Sequence, residues 1–215
     1  MTNTILSLII AYLLGSIPFG YLITKFSTSK NIFEVGWKKN SGSNVYKNIG
    51  KWQGVATFLF DAFKGYLAVY IAWRLGLPAL VQVLCGLLAV VGHNWSIFLG
   101  FRGGRGLAAL VGAVLFMNPL FLAIILIPCI LFTIIWTASV GTLLSFLTGV
   151  IFSLSISGYE MVGLLLFLSL IPVLIKRLSP IKEILNSPNK EVIENRLFFD
   201  QDTVPPLRIK VKKPL

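Results

Sequence analysis

The stretch Val91-Gly-His-Asn-Trp-Ser-Ile-Phe-Leu-Gly-Phe-Arg-Gly-Gly-Arg-Gly-Leu-Ala-Ala109 joins two apolar segments of the chain and carries its only histidine, His93. Glycine lets a backbone take positive φ and approach a ligand closely. The N–H groups that open the following helix favour an anion, and arginine binds phosphate through paired hydrogen bonds. The stretch therefore predicts a phosphate site at a membrane surface, formed by Arg102, Gly103, Gly104, Arg105 and Gly106.

The composition around this stretch is that of an integral membrane protein. The 215 residues are 56% hydrophobic and 13% charged, and the mean hydropathy is +0.83. A net charge of +11 would suggest nucleic acid as the partner of a soluble chain. Here the basic residues flank apolar segments, so we expect membrane lipids and no nucleic acid. Cys85 and Cys129 lie inside apolar segments without metal-ligand or disulfide spacing, so we expect both to be buried and reduced.

The apolar segments predict an all-α bundle of seven transmembrane helices. Most approach the ~20 residues that a helix needs to cross the hydrocarbon core, and only the fourth is clearly short. They run approximately over residues 4–24, 53–73, 78–99, 106–117, 119–136, 138–156 and 159–175.

The positive charges predict the orientation of this bundle. Segment 25–51 holds six lysines, segment 99–106 holds two arginines, and Lys176 and Arg177 follow the last apolar segment. With seven spans these groups share one side, and the opposite side carries only one basic residue, Arg74. Because basic loops stay in the cytoplasm, we expect the N-terminus outside and the C-terminus inside.

The chain is expected to divide into a membrane domain, residues 1–178, and a basic cytoplasmic tail, residues 179–215. The tail has roughly helical apolar spacing, broken near Ser187-Pro188. It can pack under the bundle as a solvated tail, or form an interfacial helix attracted to anionic lipid.

Three polar residues inside the apolar segments are candidates for chemistry. Asp61 and Lys64 are three residues apart, so they share a helix face and can form an ion pair. His93 could act as a general base if a carboxylate orients it, and Asp61 is the intramembrane candidate. Alternatively, the pair only fixes helix packing and the histidine is a satisfied interface residue. A lone histidine does not make a metal site, so we expect no metal.

The segment before the second apolar stretch offers hydrogen-bond donors in Ser43 and Asn44, beside Lys47. Such a cluster can bind a phosphate, and it is also ordinary turn chemistry. The chain contains no Gly-x-Ser-x-Gly elbow and no nucleotide-binding glycine motif, which argues against hydrolase and nucleotide-binding classes.

Together these motifs resemble the PlsY family of membrane acyltransferases, over about residues 10–178. Gly15-Ser-Ile-Pro-Phe-Gly-Tyr-Leu-Ile23 is similar to the family's opening span. Asp61-Ala-Phe-Lys-Gly65 matches its Asp-x-x-Lys-Gly pattern, and Gly92-His93 with Gly103-Gly-Arg-Gly106 matches its Gly-His…Gly-Gly-Lys-Gly loop, with Arg105 at the lysine position. Ser139 matches a serine that begins the family's sixth span.

The resemblance implies a seven-span fold with cytoplasmic loops forming the active site in a bacterial cell membrane. It implies acyl transfer from acyl-phosphate to the 1-hydroxyl of glycerol 3-phosphate, giving lysophosphatidic acid without a cofactor. Asp61, Lys64, His93, Arg105 and Ser139 would then be catalytic. The substrate-binding set would be Ser43, Asn44, Lys47, Arg102, Gly103, Gly104 and Gly106.

The sequence departs from the family at several positions. Trp37 stands where the family has a serine, Trp136 where it has an arginine, and Ile171 and Leu174 where it has a histidine and an asparagine. The alternative hypothesis is therefore a relative that binds acyl-phosphate or phospholipid without catalysis, or that uses another acceptor.

Overall fold

The computed structural model describes residues 2–36 and 38–179, and the elements in these ranges are helices without a strand. The predicted tail from residue 180 onward and Trp37 lie outside the described residues. The helices are α1 (Thr2–Ser16), α2 (Phe19–Thr28), α3 (Gly42–Asn48), α4 (Lys51–Arg74), α5 (Ala79–Asn94), α6 (Leu107–Met117), α7 (Pro119–Ile135), α8 (Ala138–Ser155) and α9 (Glu160–Leu178), with short 3-10 turns at Ile32–Glu34 and Ile97–Leu99.

Four helical segments are long and apolar enough to cross a membrane: Thr2–Thr28, α4, α8 and α9. Three more apolar helices, α5, α6 and α7, are shorter. The 11 residues of α6 rise only about 16 Å at 1.5 Å per residue, against a hydrocarbon core of about 30 Å. The all-helical class is confirmed, and α6 is the short helix that the sequence predicted.

The first apolar segment is not one continuous helix. α1 ends at Ser16 and α2 begins at Phe19, with Ile17 and Pro18 between them. Proline has no N–H to donate and its ring clashes with the preceding turn, so the helical hydrogen bonds stop here. At this break the Ile17 carbonyl oxygen accepts from the Phe19 N–H at 3.2 Å instead of a helical donor, and it can accept a second hydrogen bond from a side chain of another helix.

Glycines bring the helices that carry the polar residues close together. A Cβ on Gly65 of α4 would lie 1.9 Å from the carbonyl oxygen of Ala109 in α6, and a Cβ on Gly15 of α1 would lie 2.3 Å from that of Ala89 in α5. Helix pairs without side chains at the crossing approach closely, as is common in membrane bundles. The α4–α6 and α1–α5 contacts therefore bring the glycine-rich stretch beside Asp61 and Lys64.

The apolar core lies among α4 to α9, and many large apolar side chains face outward, as expected for a bundle surrounded by lipid. Both cysteines are free; Cys85 is buried as predicted, whereas Cys129 is only half-buried.

Candidate active site

A buried polar network joins α4 and α5. One carboxylate oxygen of Asp61, Oδ1, lies 2.8 Å from Lys64 Nζ and 3.3 Å from His93 Nδ1. The three residues are 0%, 2% and 4% exposed, respectively. Charges this far from water require such partners, because an unpaired buried charge is costly. The predicted Asp61–Lys64 pair forms, and Asp61 is also the carboxylate that faces the histidine.

Lys64 also connects this network to the break in the first segment. Its ammonium group donates to the Ile17 carbonyl oxygen at 2.9 Å and lies 5.9 Å from the Phe19 ring centroid. The Ile17 carbonyl oxygen therefore accepts from a cation of α4 as well as from the Phe19 N–H. Lys64 thus connects α4 to the break between α1 and α2.

The glycine loop (residues 95–106) packs directly against the end of α5. A Cβ on Gly104 would lie 2.2 Å from His93 Nε2, and a Cβ on Gly103 would lie 2.2 Å from the His93 carbonyl oxygen. Gly106 has φ +76° and would place a Cβ 2.7 Å from Asn94 Oδ1. Glycine is therefore required at these three positions by the packing of the loop against α5. The sequence predicts a different role for these glycines, the close approach of a ligand. The imidazole thus has Asp61 at Nδ1 and the glycine loop at Nε2.

The two ends of the glycine loop are tied together and to α1. Ser96 and Arg102 form an antiparallel bridge, and Ser96 Oγ donates to the Ser16 carbonyl oxygen at 2.5 Å. Arg102 is exposed, with its guanidinium carbon 4.9 Å from the Phe33 ring centroid. Arg105 is half-buried just before α6. Gly106, the N-cap of α6, gives no side-chain hydrogen bond to the helix, so the first-turn N–H groups have no side-chain cap.

The first loop (residues 29–50) presents two of its three predicted residues on its surface. Ser43 and Lys47 are four apart on α3 and both are exposed, so they share an accessible face. Asn44 is buried and donates to the carbonyl oxygens of Lys39 and Val35 at 2.9 and 3.2 Å. Its amide hydrogens shape the loop here, and its contact with a substrate stays a prediction.

Asn40 links the first loop to the glycine loop, and sequence reasoning did not single it out. Asn40 is buried, and its Oδ1 has no hydrogen-bond partner among the described residues. A Cβ on Gly20 would lie 2.4 Å from this oxygen, and a Cβ on Gly104 would lie 2.2 Å from the Asn40 carbonyl oxygen. Only this tertiary contact distinguishes Asn40 from an ordinary loop asparagine.

Ser139 lies at the start of α8, and it is hydrogen-bonded to Arg177 of α9 and Thr142 of α8. It is buried, and its carbonyl oxygen accepts from Arg177 Nη1 at 3.2 Å. Arg177 also donates to the Thr142 hydroxyl and is 1% exposed. The structure therefore joins Ser139 to α9, and its predicted catalytic role remains a prediction.

The end of α9 also belongs to the polar region. Asn94 donates to the Pro172 carbonyl oxygen at 3.0 Å, which ties α9 to the start of the glycine loop. One turn later, Lys176 is 8% exposed and its Nζ lies 5.4 Å from the Trp95 ring centroid. From the sequence, Lys176 and Arg177 indicated only the orientation of the bundle in the membrane. Lys176 and Arg177 each lie four residues after a buried residue of α9, Pro172 and Val173, respectively. This spacing places them on the buried face of the helix, and it could have identified them from the sequence.

An apolar cleft opens beside the glycine loop. It has an empty volume of ≈ 440 Å³, part of it open to the surroundings. Its walls come from α6 to α9 and run from Leu107, the residue after the loop, to Phe146 and Leu166. The predicted phosphate-binding groups and an apolar cleft therefore lie next to each other, an arrangement suited to an amphipathic substrate.

Comparisons with known proteins agree with this geometry. The family model described as glycerol-3-phosphate acyltransferase matches residues 5–187. A glycerol-3-phosphate acyltransferase of Streptococcus sanguinis is 39% identical over 77% of this chain and 76% of its own length. One of Dehalococcoides mccartyi is 34% identical over 92% of this chain and 88% of its own length.

Solved structures of the integral membrane glycerol 3-phosphate acyltransferase PlsY also match. Its glycerol 3-phosphate form has a TM-score of 0.74 and 28% identity, over 85% of this chain and 92% of that chain. Its lysophosphatidic acid form has a TM-score of 0.71 and 26% identity, over 85% of this chain and 91% of that chain. The protein is thus a multi-pass membrane protein, and it belongs to the glycerol-3-phosphate acyltransferase family.

Proposed function

We propose that this enzyme transfers an acyl group from acyl-phosphate to the 1-hydroxyl of glycerol 3-phosphate, giving lysophosphatidic acid and inorganic phosphate. The observation that carries the proposal is the imidazole of His93, held between the Asp61 carboxylate and the glycine loop. Family membership and the glycerol 3-phosphate and lysophosphatidic acid forms of PlsY support the same reaction class.

In this proposal His93 is the general base. The hydroxyl oxygen attacks the acyl carbon, the acyl–phosphate C–O bond breaks, and the phosphate leaves with the electron pair. Because Nδ1 faces Asp61, that carboxylate favours the tautomer with a proton on Nδ1 and leaves Nε2 to take the hydroxyl proton. Asp61 then stabilises the imidazolium, and Lys64 holds the carboxylate in place.

In this proposal the phosphate groups are bound by basic side chains of the two loops and by the N–H groups at the start of α6. Arg105 and Arg102 flank Gly103 and Gly104, and the uncapped first turn of α6 adds N–H donors. Ser43 and Lys47 would approach from the exposed face of α3. Such preorganised donors stabilise charge on the departing phosphate and on the carbonyl oxygen.

The apolar cleft is where we propose that the acyl chain lies. It begins at Leu107, directly after Gly106, so a phosphate at the loop could have its acyl chain between α6 and α8. This arrangement sets the reacting carbonyl at the boundary between polar loop and apolar helices, which orients it before reaction.

We further propose seven membrane crossings, with the N-terminus outside and the active site on the cytoplasmic side of a bacterial cell membrane. The support is the clustering of the lysines and arginines on one side. Lys47→Cys and Arg74→Cys are made one at a time in a Cys85→Ala, Cys129→Ala background. A membrane-impermeant thiol reagent added outside intact cells should label the cysteine at position 74 but not the one at position 47. Labelling of both from outside intact cells would overturn this orientation.

The deciding assay follows phosphate release by purified protein in detergent, given acyl-phosphate and glycerol 3-phosphate. Release should require both substrates, and Arg105→Ala should lower it by at least ~100-fold, since one transition-state donor is worth about that much. Arg74→Ala, at the exposed end of α4, is the matched control. Acyl-phosphate binding without acceptor-dependent release would favour the alternative of a binding protein, which the comparisons do not favour.

A further inference from the structure

Lys176 is a buried cation that the proposed reaction has not used. Only 8% of the residue is exposed. Within residues 2–36 and 38–179, its ammonium group has no hydrogen bond and no carboxylate at ion-pair distance. Its close neighbour is the Trp95 ring, 5.4 Å away. A π face offsets only part of the cost of removing a cation from water.

Lys176 is held in the site by the packing of α9. Asn94 donates to the carbonyl oxygen of Pro172, and Lys176 lies four residues later on the same helix face. Ile171, which stands where the family has a histidine, is 56% exposed and faces away from this contact. The inward face of α9 therefore contributes a cation, Lys176, although Ile171 and Leu174 on the same helix are apolar.

The Lys176 ammonium group lies where the glycine loop begins. Trp95, whose ring it faces, follows Asn94, the last residue of α5, and is two residues after His93. A buried cation that has no acidic partner among the described residues favours an anion at this position.

We propose that Lys176 binds the phosphate group of one of the two substrates, a role that rests on the proposed acyl transfer. The anion supplies the charged partner that the Lys176 ammonium group does not have among residues 2–36 and 38–179. Lys176 is then a substrate-binding residue, contributed by a helix whose family-pattern positions Ile171 and Leu174 are apolar here.

The test measures binding of inorganic phosphate to the purified full chain in detergent by isothermal titration calorimetry. Lys176→Met, which keeps the length of the side chain, should weaken binding about tenfold or more, because it removes a charge-assisted contact. Lys176→Arg should largely restore it. Lys25→Met is the matched control, since Lys25 lies 5.5 Å from the Tyr21 ring but is exposed.

Kinetics then identify the source of the phosphate. A rise in KM confined to glycerol 3-phosphate assigns the site to the acceptor, and a rise confined to acyl-phosphate assigns it to the donor. Unchanged phosphate affinity and unchanged KM values in Lys176→Met overturn the proposal. If the unaltered protein binds phosphate through Lys176 but shows no acyl transfer, the proposed reaction fails while the anion site stands.

Discussion

Replacing Asp61 with asparagine keeps the size of the side chain and removes its charge from the centre of the polar network. The carboxylate oxygen that is 2.8 Å from Lys64 and 3.3 Å from His93 is lost as a charged partner, in a region that is fully buried. Removing one member of a buried ion pair typically costs about 3–5 kcal/mol, because the other charge stays behind unpaired. Lys64 would keep only the Ile17 carbonyl oxygen.

This cost should appear as a fall in thermal stability. A protein of this size loses roughly 2–4 °C in unfolding midpoint per kcal/mol, so we expect a decrease of about 6–20 °C. The five tryptophans provide a fluorescence signal for the transition in detergent. Glu160→Gln, at the exposed start of α9, should leave the midpoint within about 2 °C of the original.

A double-mutant cycle tests the physical reason. Asp61→Asn combined with Lys64→Met removes both charges, so the double variant should have a markedly higher unfolding midpoint than Asp61→Asn alone. A midpoint for Asp61→Asn within about 2 °C of the unaltered protein would refute the reasoning. The reasoning would also be refuted if the decrease in midpoint of the double variant equalled the sum of the decreases of the two single variants.

Two further predictions concern the glycines. Gly104→Ala would place a Cβ 2.2 Å from both His93 Nε2 and the Asn40 carbonyl oxygen, so the imidazole and the first loop must shift and phosphate release should fall by about 100-fold or more; activity near that of the unaltered protein would show that this contact does not position the imidazole for the reaction. Gly65→Ala would place a Cβ 1.9 Å from the Ala109 carbonyl oxygen, so α4 and α6 must separate and the unfolding midpoint in detergent should drop. Gly86→Ala is its control, because the Cβ there meets only side chains, at 3.2 Å or more, and equal losses in both would contradict the backbone-contact explanation.

The polar cluster shows how far sequence reasoning reached. The three-residue spacing of Asp61 and Lys64 places them on one face by helix geometry alone, and that pair is observed. Asp61 could be predicted as the partner of His93 because the apolar segments contain few carboxylates, and the two side chains are in contact. Asn40 and Asn94 could not be found this way, because each acts through a residue distant in the chain; Asn94 and its acceptor, for instance, are 78 residues apart.

The sequence by itself determined that this protein is a helical membrane bundle with cations grouped beside a glycine-rich stretch, because apolar length and charge placement are local properties. The tertiary structure decided what the polar groups contact. The Ile17 carbonyl oxygen accepts from Lys64, 47 residues away in the chain. The glycines pack against the end of α5, and α9 turns Lys176 toward Trp95. These contacts depend on which helices pack against each other, and the spacing of residues along the sequence does not give the distance between two helices.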